Sequence, residues 1–225
     1  MRLVPLALAW SLALPAQIPF GDLAPVDRAE ARAIVKGADF SFQTRTRPTR
    51  VALATMDQLF DHPRLGAALW RYCGFAPAFY ARTRPDGSWT IDDGRGLTGR
   101  LRMIHRGPGL RVYLVEGRAE QGRLKVPFAV AARMAVAYRY WEGPQGFETR
   151  LETWTALDSA LLGLLARPFQ GYIRHRQDEF IAYINGNIAT FGEFAQINPR
   201  EFREPLLREG DATVLRDFDQ IFPPR

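Results

Sequence analysis

Three histidines, a few carboxylates, one cysteine and a set of strand aromatics are the side chains here that could carry chemistry. His62 precedes Pro63 in a helix break, and to act as a general base it needs a partner within hydrogen-bond reach. His105 ends a strand between Ile104 and Arg106, and His175 lies between Arg174 and Arg176 on the polar side of a helix. Turn and solvent positions account for all three. With the single cysteine, Cys73, they give no zinc-ligand spacing and no intramolecular disulfide. No serine stands in a Gly-x-Ser-x-Gly elbow. Asp92 and Asp93 are adjacent, so they leave a strand on opposite faces, and Gly94 after them marks a turn. Gly94-Arg95-Gly96 lacks the strand-to-helix setting of a phosphate loop. The sequence therefore names no metal, cofactor or catalytic group. Glu116, Glu148 and Glu152 sit in otherwise apolar strands, where a glutamate on the concave face could meet a ligand hydroxyl or titrate high. Pairing with a cross-strand arginine is the simpler reading. An enzymatic site would have to bring His105, Glu116 and Tyr138 together.

The elements that position these groups follow from periodicity. Asp27–Lys36 reads as a short polar helix with Asp27 as its cap, Glu30 at capping-box spacing and Gly37 at its end. Phe40 and Phe42 alternate with Ser41 and Gln43, the period of a half-buried strand over Ala38–Thr46. From Thr49 to Tyr72 the period becomes helical, with a break at Asp61-His62-Pro63, because a proline drives its predecessor out of helical geometry. Two short helices result, which suit a lid better than a single rod. Strands are then expected at Ala78–Thr83, Ser88–Asp92, Leu97–His105, Leu110–Arg118, Val126–Tyr140 and Phe147–Ala156. Glycine- and proline-rich turns separate them into antiparallel hairpins. Alternation sets Val112, Leu114 and Glu116 against Arg111, Tyr113 and Val115, and Tyr138 and Tyr140 against Arg139 and Trp141.

Asp158 or Ser159 caps a short apolar helix through Leu161–Leu165, and Pro168 kinks or restarts the chain. The stripe Phe169, Ile173, Phe180, Ile184, Ile188, Phe191 and Ala195 marks one face of a long helix that Pro199 ends. Gly171, Gly186 and Gly192 lie inside it, each disfavoured by about 1 kcal/mol against alanine, and tight packing accounts for them. The fold class is α+β: a curved antiparallel sheet and a long C-terminal helix, with two short helices after the first strand.

The chain has 225 residues, 47% hydrophobic and 12% aromatic, enough for one sizeable core and too many aromatics for disorder. Its net charge of +6 comes mostly from scattered arginines, with loose groups at Arg45, Arg47 and Arg50 and at Arg95, Arg100, Arg102 and Arg106. Without dense basic runs, no nucleic-acid partner is expected, while peripheral contact with an anionic membrane is compatible. Met1-Arg2, the apolar run Leu3–Leu14 and Pro15-Ala16 read as an export signal, too short for the roughly 20 residues that span a bilayer. Leu14 is large for its place before a cut after Ala16, so cleavage and retention as an anchor both stay open. The expected division is a signal peptide over 1–16, an N-terminal extension over 17–37, a domain over 38–198 and a loosely attached charged tail over 199–225. The expected destination is the periplasm or the cell exterior.

The strand Phe40–Thr46, the helical pair Thr49–Tyr72, the strands of Ala78–Ala156 and the helix Ser159–Gln196 occur in an order that resembles the START and polyketide-cyclase (SRPBCC) superfamily. Asp61-His62-Pro63 followed by Leu69-Trp70 is similar to a helix, proline, tryptophan stretch common there. The resemblance implies a helix-grip architecture, in which the sheet wraps around the long helix. It also implies a cavity between them for a lipid, sterol, polyketide or other apolar molecule. Tyr113, Glu116, Tyr138, Tyr140 and Trp154 from the strands and Phe180, Ile184 and Ile188 from the helix would line it. Members of that superfamily are often cytoplasmic, and an export signal favours carriage of an envelope lipid over polyketide tailoring. The expected function is non-catalytic binding or carriage of a hydrophobic ligand, without a cofactor. The alternatives are a cyclase or hydrolase acting on a hydrophobic substrate, and a closed-core structural protein of the envelope that meets a partner through its tail.

Overall fold

The computed structural model describes residues 18–45, 48–120, 129–158 and 170–223. The expected signal peptide, the apolar helix around Leu161–Leu165 and Pro168 lie outside them. Alternating apolar residues and tight turns give seven strands: β1 (Phe40–Arg45), β2 (Tyr80–Thr83), β3 (Trp89–Asp92), β4 (Leu97–Gly107), β5 (Leu110–Ala119), β6 (Val130–Gly143) and β7 (Gly146–Leu157). They form one antiparallel sheet in the order β1-β7-β6-β5-β4-β3-β2. Gly109 makes the β4–β5 turn at φ +62, and a Cβ there would stand 2.5 Å from the Tyr140 carbonyl oxygen. The helices among the described residues are α1 (Pro25–Lys36), α2 (Leu53–Leu59), α3 (Pro63–Tyr72), α4 (Gln170–Ile197), α5 (Pro199–Glu209) and α6 (Ala212–Ile221). The chain is thus α+β. No helix among the described residues is long and apolar enough to cross a membrane.

Helices cover both faces of the sheet. On the outer face α1 buries Ala31 and Ile34 against Leu110, Val112, Leu114, Ala135 and Ala137. Residues 18–36 therefore belong to the fold instead of extending from it. The expected capping box is not formed. Pro25 occupies the first helical position behind Ala24, which makes no side-chain cap, and Asp27 and Glu30 both bind Arg102 on β4, Glu30 at 2.6 Å. A strand arginine close by outcompetes the helix's own amides for these carboxylates.

On the inner face, Pro63 opens α3 directly after the break at His62. Met56, Leu59, Phe60, Leu65, Leu69 and Trp70 pack there with Tyr138, Phe147, Leu151 and Phe191 in one core, so α2 and α3 are a wall of the domain. The long helix α4 lies against β1, β7, α2 and α3. Phe191 and Ala195 of the expected stripe are buried, but in the preceding turns the buried face runs through Ile181, Asn185 and Ala189, one residue on from Phe180, Ile184 and Ile188, which leaves Phe180 39% exposed. A Cβ at Gly192 would lie 2.6 Å from Met56 Sδ and 3.4 Å from Val51 Cγ2, so the Met56 side chain occupies the space a side chain there would need.

The segment expected as a loose tail is two packed helices. Phe202 and Leu206 on α5 and Val214, Phe218 and Ile221 on α6 recur at helical spacing and join the inner core. Arg203 bonds Asp219 at 2.7 Å between the two helices, and His62 Nδ1 meets Asp217 Oδ2 at 3.0 Å. The Asp211 carboxylate caps α6, accepting from the Thr213 and Val214 amides at 3.1 and 3.2 Å, and also pairs with Arg64. Partial burial works to raise the Asp211 pKa, but the Val214 amide and the Arg64 guanidinium outweigh it and hold the carboxyl below its ordinary value. Asp211→Ala should lower stability by about 1 kcal/mol in urea unfolding at neutral pH. A depressed folded pKa means the contribution is full above the unfolded value of about 3.9 and is lost as pH falls through the folded one. The difference between variant and parent should therefore shrink in acid. A difference that is constant with pH would remove the ionised cap from the account.

Candidate functional site

Residues paired across an antiparallel ladder share a face, which fixes where each candidate side chain goes. Arg111, Tyr138, Leu151 and Thr44 form one inner row. Tyr113, Val136, Thr153 and Phe42 form the next, and Val115, Met134, Thr155 and Phe40 the one after. Glu116 and Trp154 are on the outer face: Glu116 pairs with Arg133, Trp154 pairs with Ala135, and Trp154 packs against the α1 core. They do not line the inner face with the tyrosines. Their places in the two-residue period, opposite to Tyr113 and Tyr138, forbid it. Glu116 instead borders a small outer cleft with Glu30, Arg100, Arg102 and Leu114, with Arg100 at 4.0 Å.

His105 is also an outer residue. Met103 pairs with Tyr113 but His105 pairs with Val112, so the ladder slips between them and every later residue of β4 changes face. His105 and Glu116 therefore lie opposite Tyr138, and the three do not form one site.

At the α2 end the inner face is filled. The Phe60 ring stands 4.5 Å from Tyr138 and 4.8 Å from Tyr140, and the Tyr113 hydroxyl donates to the Phe60 carbonyl at 3.0 Å. Arg111, 1% exposed, donates through Nε to Asp61 at 3.0 Å, through Nη2 to Asp57 at 2.9 Å and through Nη1 to the Gly107 carbonyl at 2.8 Å. The Tyr140 hydroxyl donates to Asp57, and Arg106 meets Asp61 at 2.5 Å. Burial opposes the Arg111 charge, but the bond to Asp61 and the nearby carboxylates hold its pKa above the ordinary value. Burial raises the pKa of all three phenols, so they are neutral donors at physiological pH. The end holding Tyr113 and Tyr140 is therefore a paired polar cluster inside a packed core.

Further along the same face the character changes. Trp89, Leu101, Val115 and Met134 form a cross-strand row over β3, β4, β5 and β6, flanked by Met103 and Val136. All are half-buried, and Trp89, Leu101, Val115, Met103 and Met134 belong to neither core. Ile184 and Ile188 of α4 are likewise half-buried, at the edge of the inner core. Beside Tyr138 and Tyr140, at the filled end, lie buried polar groups, and Thr153 lies one row nearer the apolar row. The Tyr138 hydroxyl donates to Asn185 Oδ1 at 2.6 Å and the Thr149 hydroxyl to the same atom at 2.8 Å. Asn185 Nδ2 and the Thr153 hydroxyl are buried and have no hydrogen-bond partner. Of the expected lining, Tyr138 meets Asn185, and Ile184 and Ile188 flank Asn185 on α4, which packs against β1 and β7. Asn185 is visible in the sequence as a polar residue four places from both Ile181 and Ala189 on an apolar stripe, a signal the periodicity argument passes over.

No protein-family model matches the chain, and no curated protein matches it. Among solved structures it is similar to an uncharacterized protein from Rhizobium leguminosarum, at 13% identity and a TM-score of 0.42, over 68% of this chain and 94% of that one.

Proposed function

We propose that this chain binds and carries an apolar ligand, a lipid of the cell envelope, between the inner face of the sheet and α4. The half-buried row Trp89, Leu101, Val115 and Met134 carries the reading. Full burial of such a side chain contributes about 1.5–3 kcal/mol, so a row left half-exposed on the helix-bearing face has apolar area for a ligand to cover. Apolar walls with a few placed polar groups, here Asn185 and Thr153, suit a small molecule. The neighbour order of the strands, with α4 packed across β1 and β7, supports a helix-grip arrangement of the START and polyketide-cyclase kind. The apolar N-terminal run supports export and hence an envelope ligand, and the net charge of +6 supports peripheral contact with an anionic membrane. The separation of His105 and Glu116 from Tyr138 favours carriage over catalysis.

Native mass spectrometry of gently purified full chain should show one lipid bound per protein, recoverable by solvent extraction. Val115→Glu places a charge in the row at a half-exposed position, so the chain should stay folded while lipid uptake falls at least about tenfold. A clean unliganded mass, with no uptake from a total lipid extract, would refute the proposal.

A further inference from the structure

Resting on the ligand-binding reading above, we infer that the ligand carries an uncharged oxygen group, an ester, ketone or alcohol and not a carboxylate or phosphate, held by Asn185. Asn185 is 0% exposed. Its carboxamide has two polar ends, and only one is engaged: Oδ1 takes the Tyr138 and Thr149 hydroxyls, while Nδ2 meets nothing. A buried donor without an acceptor weighs against folding by roughly tenfold or more in the equilibrium. Leucine at this position would continue the apolar stripe of Ile181 and Ala189 without that penalty. An acceptor oxygen on a bound molecule supplies what Nδ2 lacks. The Thr153 hydroxyl, also buried and without a partner, lies on the same strand four residues from Thr149, roughly 13 Å away at strand rise. The ligand's path thus passes further polar ground toward the apolar row.

Charge decides the class of oxygen. Among the described residues the cations of the inner face here are Arg106 and Arg111, and both are bound to carboxylates of α2 or its C-terminal turn. The face of α4 that buries Asn185 presents Ile181, Ala189 and Ala195 beside it, and no charge. An ionised headgroup would enter without a counter-charge, which burial strongly disfavours.

The test uses lipid-depleted full chain and three probes on one alkyl scaffold: decane, methyl decanoate and decanoate. The ester should bind about tenfold more tightly than the alkane, the return on one buried hydrogen bond that completes a satisfied site. Ionised decanoate should bind more weakly than the ester at neutral pH. Asn185→Leu should bring the ester down to the affinity of the alkane while alkane binding persists. Equal affinity for ester and alkane in the parent chain, or decanoate binding as tightly as the ester, overturns the inference and leaves lipid carriage standing. Failure of all three probes to bind overturns both. The ranking in the parent chain decides the matter even where Asn185→Leu does not fold, since that variant strips the Tyr138 and Thr149 hydroxyls of their acceptor.

Discussion

Arg111→Ala should destabilise the chain by about 3–5 kcal/mol, as expected when one member of a buried ion pair is removed and its partners stay behind. The guanidinium is 1% exposed and makes bonds to Asp57, Asp61 and the Gly107 carbonyl, so its loss strands three acceptors at once. Asp57 is 42% exposed and can be resolvated, whereas Asp61 is 13% exposed and retains only Arg106. Most of the penalty therefore belongs to Asp61. A double variant, Arg111→Met with Asp61→Asn, removes both buried charges together and should recover a large part of the loss, because a buried pair is often no better than an apolar replacement. Urea unfolding of the parent, the single variant and the double variant reads this directly. A single-variant loss under about 1 kcal/mol would mean that water reaches the cluster, and the packed account of the α2 end would go with it.

Phe218→Ala should remove a comparable amount, about 3–5 kcal/mol, the usual range for truncating a fully buried phenylalanine. Phe218 is wholly buried and stacks on Phe222 at 4.9 Å, in the core that holds Leu65, Leu69 and Trp70 of α3. A chain ending at Asn198 would expose that whole surface and should fail to unfold cooperatively in calorimetry. A truncated chain with a sharp thermal transition would show that α5 and α6 are dispensable to the fold.

These two results bear on what sequence reasoning can see. The strands are legible because their turns are punctuated by glycines that the chain needs, such as Gly109, and because Phe40–Phe42 and Tyr138–Tyr140 keep the two-residue period. The break before Pro63 is legible from proline sterics alone. Arg111 is not: a charged residue in an alternating strand reads as solvated, and only tertiary contact with Asp57 and Asp61, some fifty residues upstream, makes burial tolerable. His105, which the enzymatic alternative needs on the inner face, is kept from it for a different reason. Parity carried forward from Met103 puts it on the inner face, and a single inserted residue in β4 reverses that. Glu116 and Trp154 could have been separated from the tyrosines by counting, since alternation places them opposite. Asn185 went unweighted because a stripe is recognised by its apolar members. In residues 199–225 a short helical pattern shows near Leu206–Leu207, but the charged character hides Phe202, Val214 and Phe218, which are sparse in sequence and buried on their helices.

The order of strands also dictates a tempo. Five of the six strand pairings join neighbours along the chain, so β2 to β7 can zip as successive hairpins, each closing a short loop. The sixth, β1 with β7, aligns Phe40 with Thr155 and must wait until almost all the intervening chain has been made and arranged. Closing so long a loop is entropically slow, and α1, which docks where β6 and β7 are already in place, waits with it. A nascent chain thus has its N-terminal end unengaged until late in synthesis.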